Sequence, residues 1–302
     1  MSLMAVTGAL GFSGRHIAAR LLDAGHQVVN LTNHPERPDP FAGRLRTAPL
    51  AFEMDPLAAS LNGVDTLFNT YWVRFARGGT DHARAVHNSS ILFEAAALAG
   101  VRRIVHTSIA NADPASADSY YRGKAEVEAL LAATMPSFAI LRPAVLFGDE
   151  PILVNSIAWL LRHLPVFMIP GDGRYGIQPT HVEDLADVAV QLAAEDGQIV
   201  TDVAGPETFT FNEFVGLIRS AVGSRALVLR APPGLALLAA RALTPIVRDV
   251  LITRQEIKGL TAGLLVSRQP PIGRRRFSAW LGEAAPWLGR SYLSEIGRHF
   301  DG

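Results

Sequence analysis

The 302-residue chain has no cysteine, which excludes disulfides, thiolate nucleophiles and cysteine-ligated zinc and agrees with a reducing compartment. It also has no net charge, since 28 lysines and arginines balance 28 aspartates and glutamates. No field of the whole molecule therefore draws nucleic acid or an anionic membrane surface, and any polyanion site has to be local. No apolar run is long enough to span a bilayer. The most lipid-like stretch, residues 233–247, is interrupted by Arg241 and Pro245 and reads as a buried helix or an interface. No basic region followed by an apolar stretch opens the chain, so no signal peptide is expected and the cytoplasm is the expected location. Internal repeats and low-complexity segments are absent too, and no metal site is expected.

What the sequence does contain begins at Thr7-Gly8-Ala9-Leu10-Gly11-Phe12-Ser13-Gly14, which follows the apolar run Leu3-Met4-Ala5-Val6. The order strand, tight turn, helix gathers backbone N–H groups and the positive end of a helix dipole around one point, and this suits a pyrophosphate. The spacing is GxxGxxG. Gly8 allows a left-handed turn, Gly11 lets a phosphate approach the backbone, and Gly14 lets helix and strand pack closely.

Further along, Gln27-Val28-Val29-Asn30-Leu31 starts a second strand and completes a βαβ unit. At its end a dinucleotide fold places the groups that read the adenosine ribose. No carboxylate stands at that end, whereas Thr32 and Asn33 can donate hydrogen bonds to a 2′-phosphate and Arg37 can reach one. This tilts the coenzyme toward NADP over NAD. Strands are predicted near 45–50, 66–70, 104–108 and 137–141, with helices starting at Asp55, over 81–99 and from Tyr120 to about 133. That alternation predicts an α/β fold with a parallel, doubly wound sheet. It spans about 1–145, and a smaller, mostly helical lobe takes 146–302. In one variant of this division a segment of about 174–204 returns to the first domain. In the lobe, helices are expected over 152–163 and 182–194, an irregular stretch over 165–180, and a strand near 199–203. The turn Arg274-Arg275-Arg276 reads as a solvated face.

Tyr120 and Lys124 are four residues apart and stand on the same face of their helix, whereas Tyr121 meets Ala125 at the corresponding place. An ammonium beside a phenol stabilises the phenolate, which a proton donor and acceptor needs near neutral pH. Ser108, at the end of the fifth strand, can bond the same substrate oxygen. His163, His181 and Asp184 are weaker candidates, because a histidine at a helix end is more often capped or solvated.

In these features the chain resembles the short-chain dehydrogenase/reductase superfamily in its extended and atypical branches. The turn Thr7 to Gly14 looks like the family's cofactor turn, Ser108 like its strand-five serine, and Tyr120 with Lys124 like its catalytic pair. Asn88, Leu141-Arg142-Pro143-Ala144-Val145-Leu146-Phe147-Gly148 and Gln178-Pro179-Thr180-His181-Val182-Glu183-Asp184 also look like segments of the group, so the resemblance covers roughly 3–215. The nearest relatives it suggests are epimerase/dehydratase-like proteins and the Rossmann-type accessory subunit of respiratory complex I. It implies a Rossmann fold holding NADP or NAD through Gly8, Ala9, Leu10, Gly11, Phe12, Gly14, Thr32, Asn33, Arg37, Thr70, Lys124 and Pro143. It also implies Tyr120, Lys124 and Ser108 as catalytic residues. The interval from Ser108 to Tyr120 is short for a sugar-nucleotide epimerase, and no basic cluster for a nucleotide diphosphate follows Phe147.

Three functions are therefore expected. The first is an NAD(P)-dependent oxidoreductase acting on a small carbonyl or alcohol. The second is a cofactor-binding sensor or assembly protein without turnover, and the third is an epimerase or dehydratase that uses the same residues. The expected partner is a small molecule, and a homo-oligomer is left open.

Overall fold

The computed structural model describes residues 1–294 and 296. In chain order the first elements are β1 (Leu3–Thr7), α1 (Phe12–Asp23), β2 (Gln27–Thr32), β3 (Leu45–Pro49), α2 (Met54–Ser60), β4 (Thr66–Asn69), α3 (His82–Leu98), β5 (Arg103–Thr107), α4 (Ser119–Thr134) and β6 (Phe138–Pro143). Next come β7 (Val145–Phe147), α5 (Ile152–His163), β8 (Val166–Pro170), β9 (Gly176–Ile177), β10 (Pro179–His181), α6 (Val182–Ala193) and β11 (Gln198–Val203). The last are β12 (Phe209–Thr210), α7 (Phe211–Ala221), β13 (Leu227–Ala231), α8 (Pro233–Val247), α9 (Arg254–Thr261) and α10 (Phe277–Ala284).

Two compact units result. The first comprises Met1–Pro143 with Val182–Val203, and the second Ala144–His181 with the chain from Ala204 onward. The end of the expected 146–302 lobe, residues 297–302, lies outside the described residues.

The first unit is a seven-stranded sheet in the order β11-β6-β5-β4-β1-β2-β3, and all its pairs are parallel. Its central strands are near-continuous apolar runs because helices cover both faces. Ala5, Val29, Leu67, Ile104 and Ile140 form one core with Leu57, Leu92, Phe93 and Leu131 of α2, α3 and α4, while α1 and α6 pack together. Burial of Phe93, which is wholly enclosed, contributes about 2–3 kcal/mol. Side chains fix the starts of two helices on this unit: Asp81 accepts from Arg84 N, and Asp118 accepts from Tyr120 N. The strand order reverses at β1, which pairs with β2 on one side and β4 on the other, and the glycine turn leaves that strand at the reversal.

The second unit encloses its own core of Phe147, Ile157, Leu161, Ile169, Phe214 and Phe277. Capping boxes start α7 at Thr210 with Glu213 and α9 at Thr253 with Glu256. The stretch 165–180, expected to be irregular, holds β8, β9 and β10. These pair with β13, β12 and β7 respectively, partners that lie far off in sequence. Residues 209–210 and 227–231, expected within a mostly helical lobe, form β12 and β13. At the basic turn, Arg276 pairs with Glu207 at 2.8 Å. α8 buries only Ala236 and Leu237, so it is not the buried helix that was one reading of its sequence.

Candidate cofactor and active site

At the end of β1 the backbone turns through Gly8 at φ +65°, a left-handed conformation that costs an L side chain roughly 1–2 kcal/mol. Gly8 N donates to Leu31 O at 2.8 Å, and Gly11 N donates to Gly8 O at 2.8 Å. A Cβ on Gly14 would stand 2.1 Å from the Gly8 carbonyl oxygen, so only glycine lets α1 approach β1 this closely. Gly11 caps α1 without a side-chain bond to its first turn, and the N–H groups there point out of the helix end. Ala9 N donates to Asn30 Oδ1 at 2.9 Å. Asn30 is fully buried, and its Nδ2 is an enclosed donor without a partner among the described residues. This asparagine went unmarked in the sequence reading. Its signal was a polar residue in the middle of an apolar strand. Leu10 and Phe12 are half-buried at the turn, and Phe12 lies edge-on to His16 at 6.1 Å.

All strands of this sheet are parallel, so their carboxyl ends share one edge with Gly8. At the end of β2, Thr32 is buried and its hydroxyl accepts from His34 N at 3.0 Å. Asn33 is exposed and Arg37 half-buried in the loop that follows, where Glu36 lies 3.5 Å from His34. At the end of β4, Thr70 donates its hydroxyl to Thr7 O at 2.6 Å and its N–H to Thr7 Oγ1 at 2.7 Å. Thr7 in turn donates to Asn69 Oδ1 at 3.1 Å. At the end of β6, Pro143 O accepts from Ala110 N at 2.9 Å.

The helix α4 runs against this edge. Lys124 is buried, and its Nζ donates to the carbonyl of Thr107, the last residue of β5, at 3.0 Å. The same ammonium stands 4.6 Å from the ring centre of Trp72, in the loop after β4. Trp72 stacks on His82 at 5.8 Å and meets Tyr120 edge-on at 5.8 Å, and Tyr120 meets His82 at 5.5 Å. Trp72 reaches α4 because residue 123 is glycine: a Cβ there would lie 3.0 Å from the indole. One indole thus bridges Tyr120 and Lys124, a contact beyond what their spacing required. The indole Nε1 is a buried donor without a partner among the described residues. Asn88 donates to Tyr71 Oη at 2.9 Å, and burial raises the Tyr71 pKa.

Burial lowers the Lys124 pKa from 10.5 to about 7, while the Glu128 carboxylate pulls it upward. His106, fully buried on β5, is pushed well below its ordinary value by burial first and by Lys124 second. It stays neutral, with Nδ1 3.1 Å from Asn69 Nδ2.

Ser108 is buried and donates its hydroxyl to Glu128 Oε1 at 2.5 Å. Glu128 also receives both prongs of Arg142, from Nε at 2.9 Å and from a closer Nη2. Glu128 stands four residues beyond Lys124 on the same face of α4, so the spacing that singled out Tyr120 and Lys124 extends to it. Tyr121 is buried beside Tyr120 at 5.7 Å between rings. In the second unit, His163 is exposed and lies 2.8 Å from Trp159 O, and His181 packs its edge against Phe147 at 4.9 Å. Among the described residues no cluster of three or more His, Cys, Asp or Glu side chains could hold a metal ion.

A family model described as NAD(P)H-binding matches residues 8–196. The Arabidopsis thaliana mitochondrial protein named NADH dehydrogenase [ubiquinone] 1 alpha subcomplex subunit 9 is 23% identical over 282 residues, 87% of this chain and 70% of its own length. Its Dictyostelium discoideum namesake is 26% identical over 230 residues, which are 70% of this chain and 62% of that protein. A ceramide reductase of Caulobacter vibrioides is 26% identical over 245 residues, 77% of this chain and 75% of its own. Among solved structures, UDP-N-acetylglucosamine 4-epimerase from Bacillus cereus superposes with a TM-score of 0.69 at 15% identity, over 96% of this chain and 98% of that one. At that identity the likeness is one of fold.

Proposed function

The chain belongs to the NAD(P)H-binding family of extended short-chain dehydrogenase/reductase-like proteins, and from that premise we propose that it is an NAD(P)-dependent oxidoreductase for a small, apolar carbonyl or alcohol. The observation that carries this reading is the convergence of Tyr120 and Lys124 on Trp72, at the sheet edge where the glycine turn leaves β1. The Caulobacter relative named a ceramide reductase supports an apolar substrate.

When bound, the dinucleotide supplies or accepts the hydride. The turn fits its pyrophosphate: Gly8 is left-handed, Gly14 leaves no room for a Cβ, and Asn30 holds Ala9. In this reading Gly8, Ala9, Leu10, Gly11, Phe12 and Gly14 hold the phosphates, and Thr32, Asn33 and Arg37 hold a 2′-phosphate. Thr70 and Pro143 flank the site, and Lys124 takes the nicotinamide ribose.

Tyr120 exchanges the substrate proton, and the Lys124 ammonium favours its phenolate. Ser108 donates its hydroxyl hydrogen bond to Glu128, so in this arrangement it presents lone pairs and accepts from an alcohol. Donation to a carbonyl requires its hydroxyl to rotate off Glu128. The second unit is assigned to substrate selection.

The test is a titration of NADPH and NADH by fluorescence at fixed salt, followed by oxidation of the bound coenzyme across a panel of aliphatic aldehydes and ketones. NADPH is expected to bind more tightly, and Arg37→Ala to weaken NADPH about fivefold to tenfold while sparing NADH. Tighter binding of NADH defeats the coenzyme assignment.

A second reading is a cofactor-binding protein without turnover. It is favoured by the cover of Trp72 over Lys124, the commitment of Ser108 to Glu128 and the complex I subunits among the relatives. Tight coenzyme binding with no oxidation by any member of the panel supports it. Epimerisation or dehydration uses the same side chains, and a product isomeric with the substrate, or one lighter by a single water, identifies it.

A further inference from the structure

The segment from 224 to 255 has a surface unlike that of the balanced chain around it. α8 is apolar on both sides. Ala236 and Leu237 are buried, while Leu235, Leu238, Ala242 and Ile246, spaced i, i+3, i+7 and i+11, form an exposed stripe. Leu238 and Ile246 are 64% and 69% exposed. Just before the helix, Leu227 and Leu229 on one side of β13 are exposed as well. Scattered exposed leucines are ordinary, but a stripe along one helix is not.

The charge of this segment is one-sided. Arg225, Arg230, Arg241, Arg248 and Arg254 are all exposed, and among the described residues none of them is in an ion pair. The only acid from 224 to 255 is Asp249. It is 1% exposed and takes hydrogen bonds from Val250 N and Tyr292 Oη. A chain with no net charge thus carries a local excess of positive charge in the segment that bears its exposed apolar stripe.

We propose that this face docks on an anionic lipid surface, with the α8 stripe entering the headgroup boundary and the arginines resting on lipid phosphates. Arginine suits that place, since its stem lies along apolar material while its guanidinium stays with the phosphates. A second copy is the poorer occupant, because an isologous contact lays arginines against arginines. The helix does not cross the bilayer, as it has 15 residues with Pro245 inside, and no described helix is long and apolar enough to do so. This docking rests on the helix and its arginines and is independent of the proposed reaction.

The experiment is co-sedimentation of the full chain with vesicles of phosphatidylcholine alone and with a quarter of phosphatidylglycerol, at low and high salt. Binding to the anionic vesicles that weakens with salt is expected. Arg241→Glu with Arg248→Glu should reduce partitioning on the order of tenfold or more, and Leu238→Glu with Ile246→Glu by a similar factor. NADPH affinity, unchanged in both variants, reports that they are folded. No binding to anionic vesicles overturns the proposal. So does binding that survives Leu238→Glu with Ile246→Glu, the behaviour of a purely ionic surface suited to an acidic protein. A dimer seen by light scattering and dissolved by the same substitutions overturns it too, since a second copy then covers the stripe.

Discussion

Replacing Lys124 by methionine should stabilise the fold at neutral pH and weaken cofactor binding. The lysine is 3% exposed, and burial brings its pKa from 10.5 down to about 7. An unfolded chain keeps that proton up to about 10.5, whereas the folded chain releases it near 7. Between those values the unfolded state binds more protons, so wild-type stability rises with pH by about 1.4 kcal/mol per unit. Over the whole window this reaches on the order of 5 kcal/mol. Below about 7 both states are protonated and the cost of the buried charge is constant. Methionine has no such cost, though it leaves the Thr107 carbonyl without its donor, a loss of about 1–2 kcal/mol. The net expectation is a variant about 2–3 kcal/mol more stable than wild type near neutral pH, with the gap closing and reversing as the pH rises toward 10. Urea unfolding of both proteins at matched ionic strength, from about pH 6 to pH 9, reads it directly. A difference that does not change with pH means that Lys124 keeps its proton in the fold, and the reasoning fails.

Two further substitutions probe the surroundings. Gly14→Ala places a Cβ 2.1 Å from the Gly8 carbonyl, so the turn must open. NADPH affinity, by calorimetry, should fall on the order of a hundredfold, and a change of less than about threefold contradicts the assigned phosphate site. Glu128→Gln leaves the Arg142 guanidinium without its carboxylate. It should cost about 2–3 kcal/mol in urea unfolding, and a neutral outcome means that solvent already screens the pair.

Much of the first unit was legible because each strand is a short apolar run closed by a turn and each helix keeps its period. The expected strands at 27–31 and 104–108 correspond to Gln27–Thr32 and Arg103–Thr107, and the expected helix at 81–99 to His82–Leu98. The stretch 165–180 was not legible, because Pro165, Pro170, Gly171, Gly173, Gly176 and Pro179 break every local pattern. Its strands exist through distant partners such as β13, and local sequence carries no sign of those pairings. The site shows the same division. Tyr120 and Lys124 could be placed on one face from spacing alone, and Glu128 could have been found by carrying that spacing one turn further. Trp72 over Lys124 and Asn30 beneath Ala9 depend on how loops from different strands fold back, which no period encodes.

The most direct test of the proposed chemistry is the turnover of Tyr120→Phe on the panel substrate that wild type uses best, measured beside coenzyme affinity and with Tyr121→Phe as the control. If Tyr120 exchanges the proton, loss of one hydroxyl lowers turnover by a factor on the order of 10² to 10⁴, leaves the coenzyme dissociation constant nearly unchanged, and Tyr121→Phe stays close to wild type. Full turnover by Tyr120→Phe, or equal damage from Tyr121→Phe, contradicts the assignment.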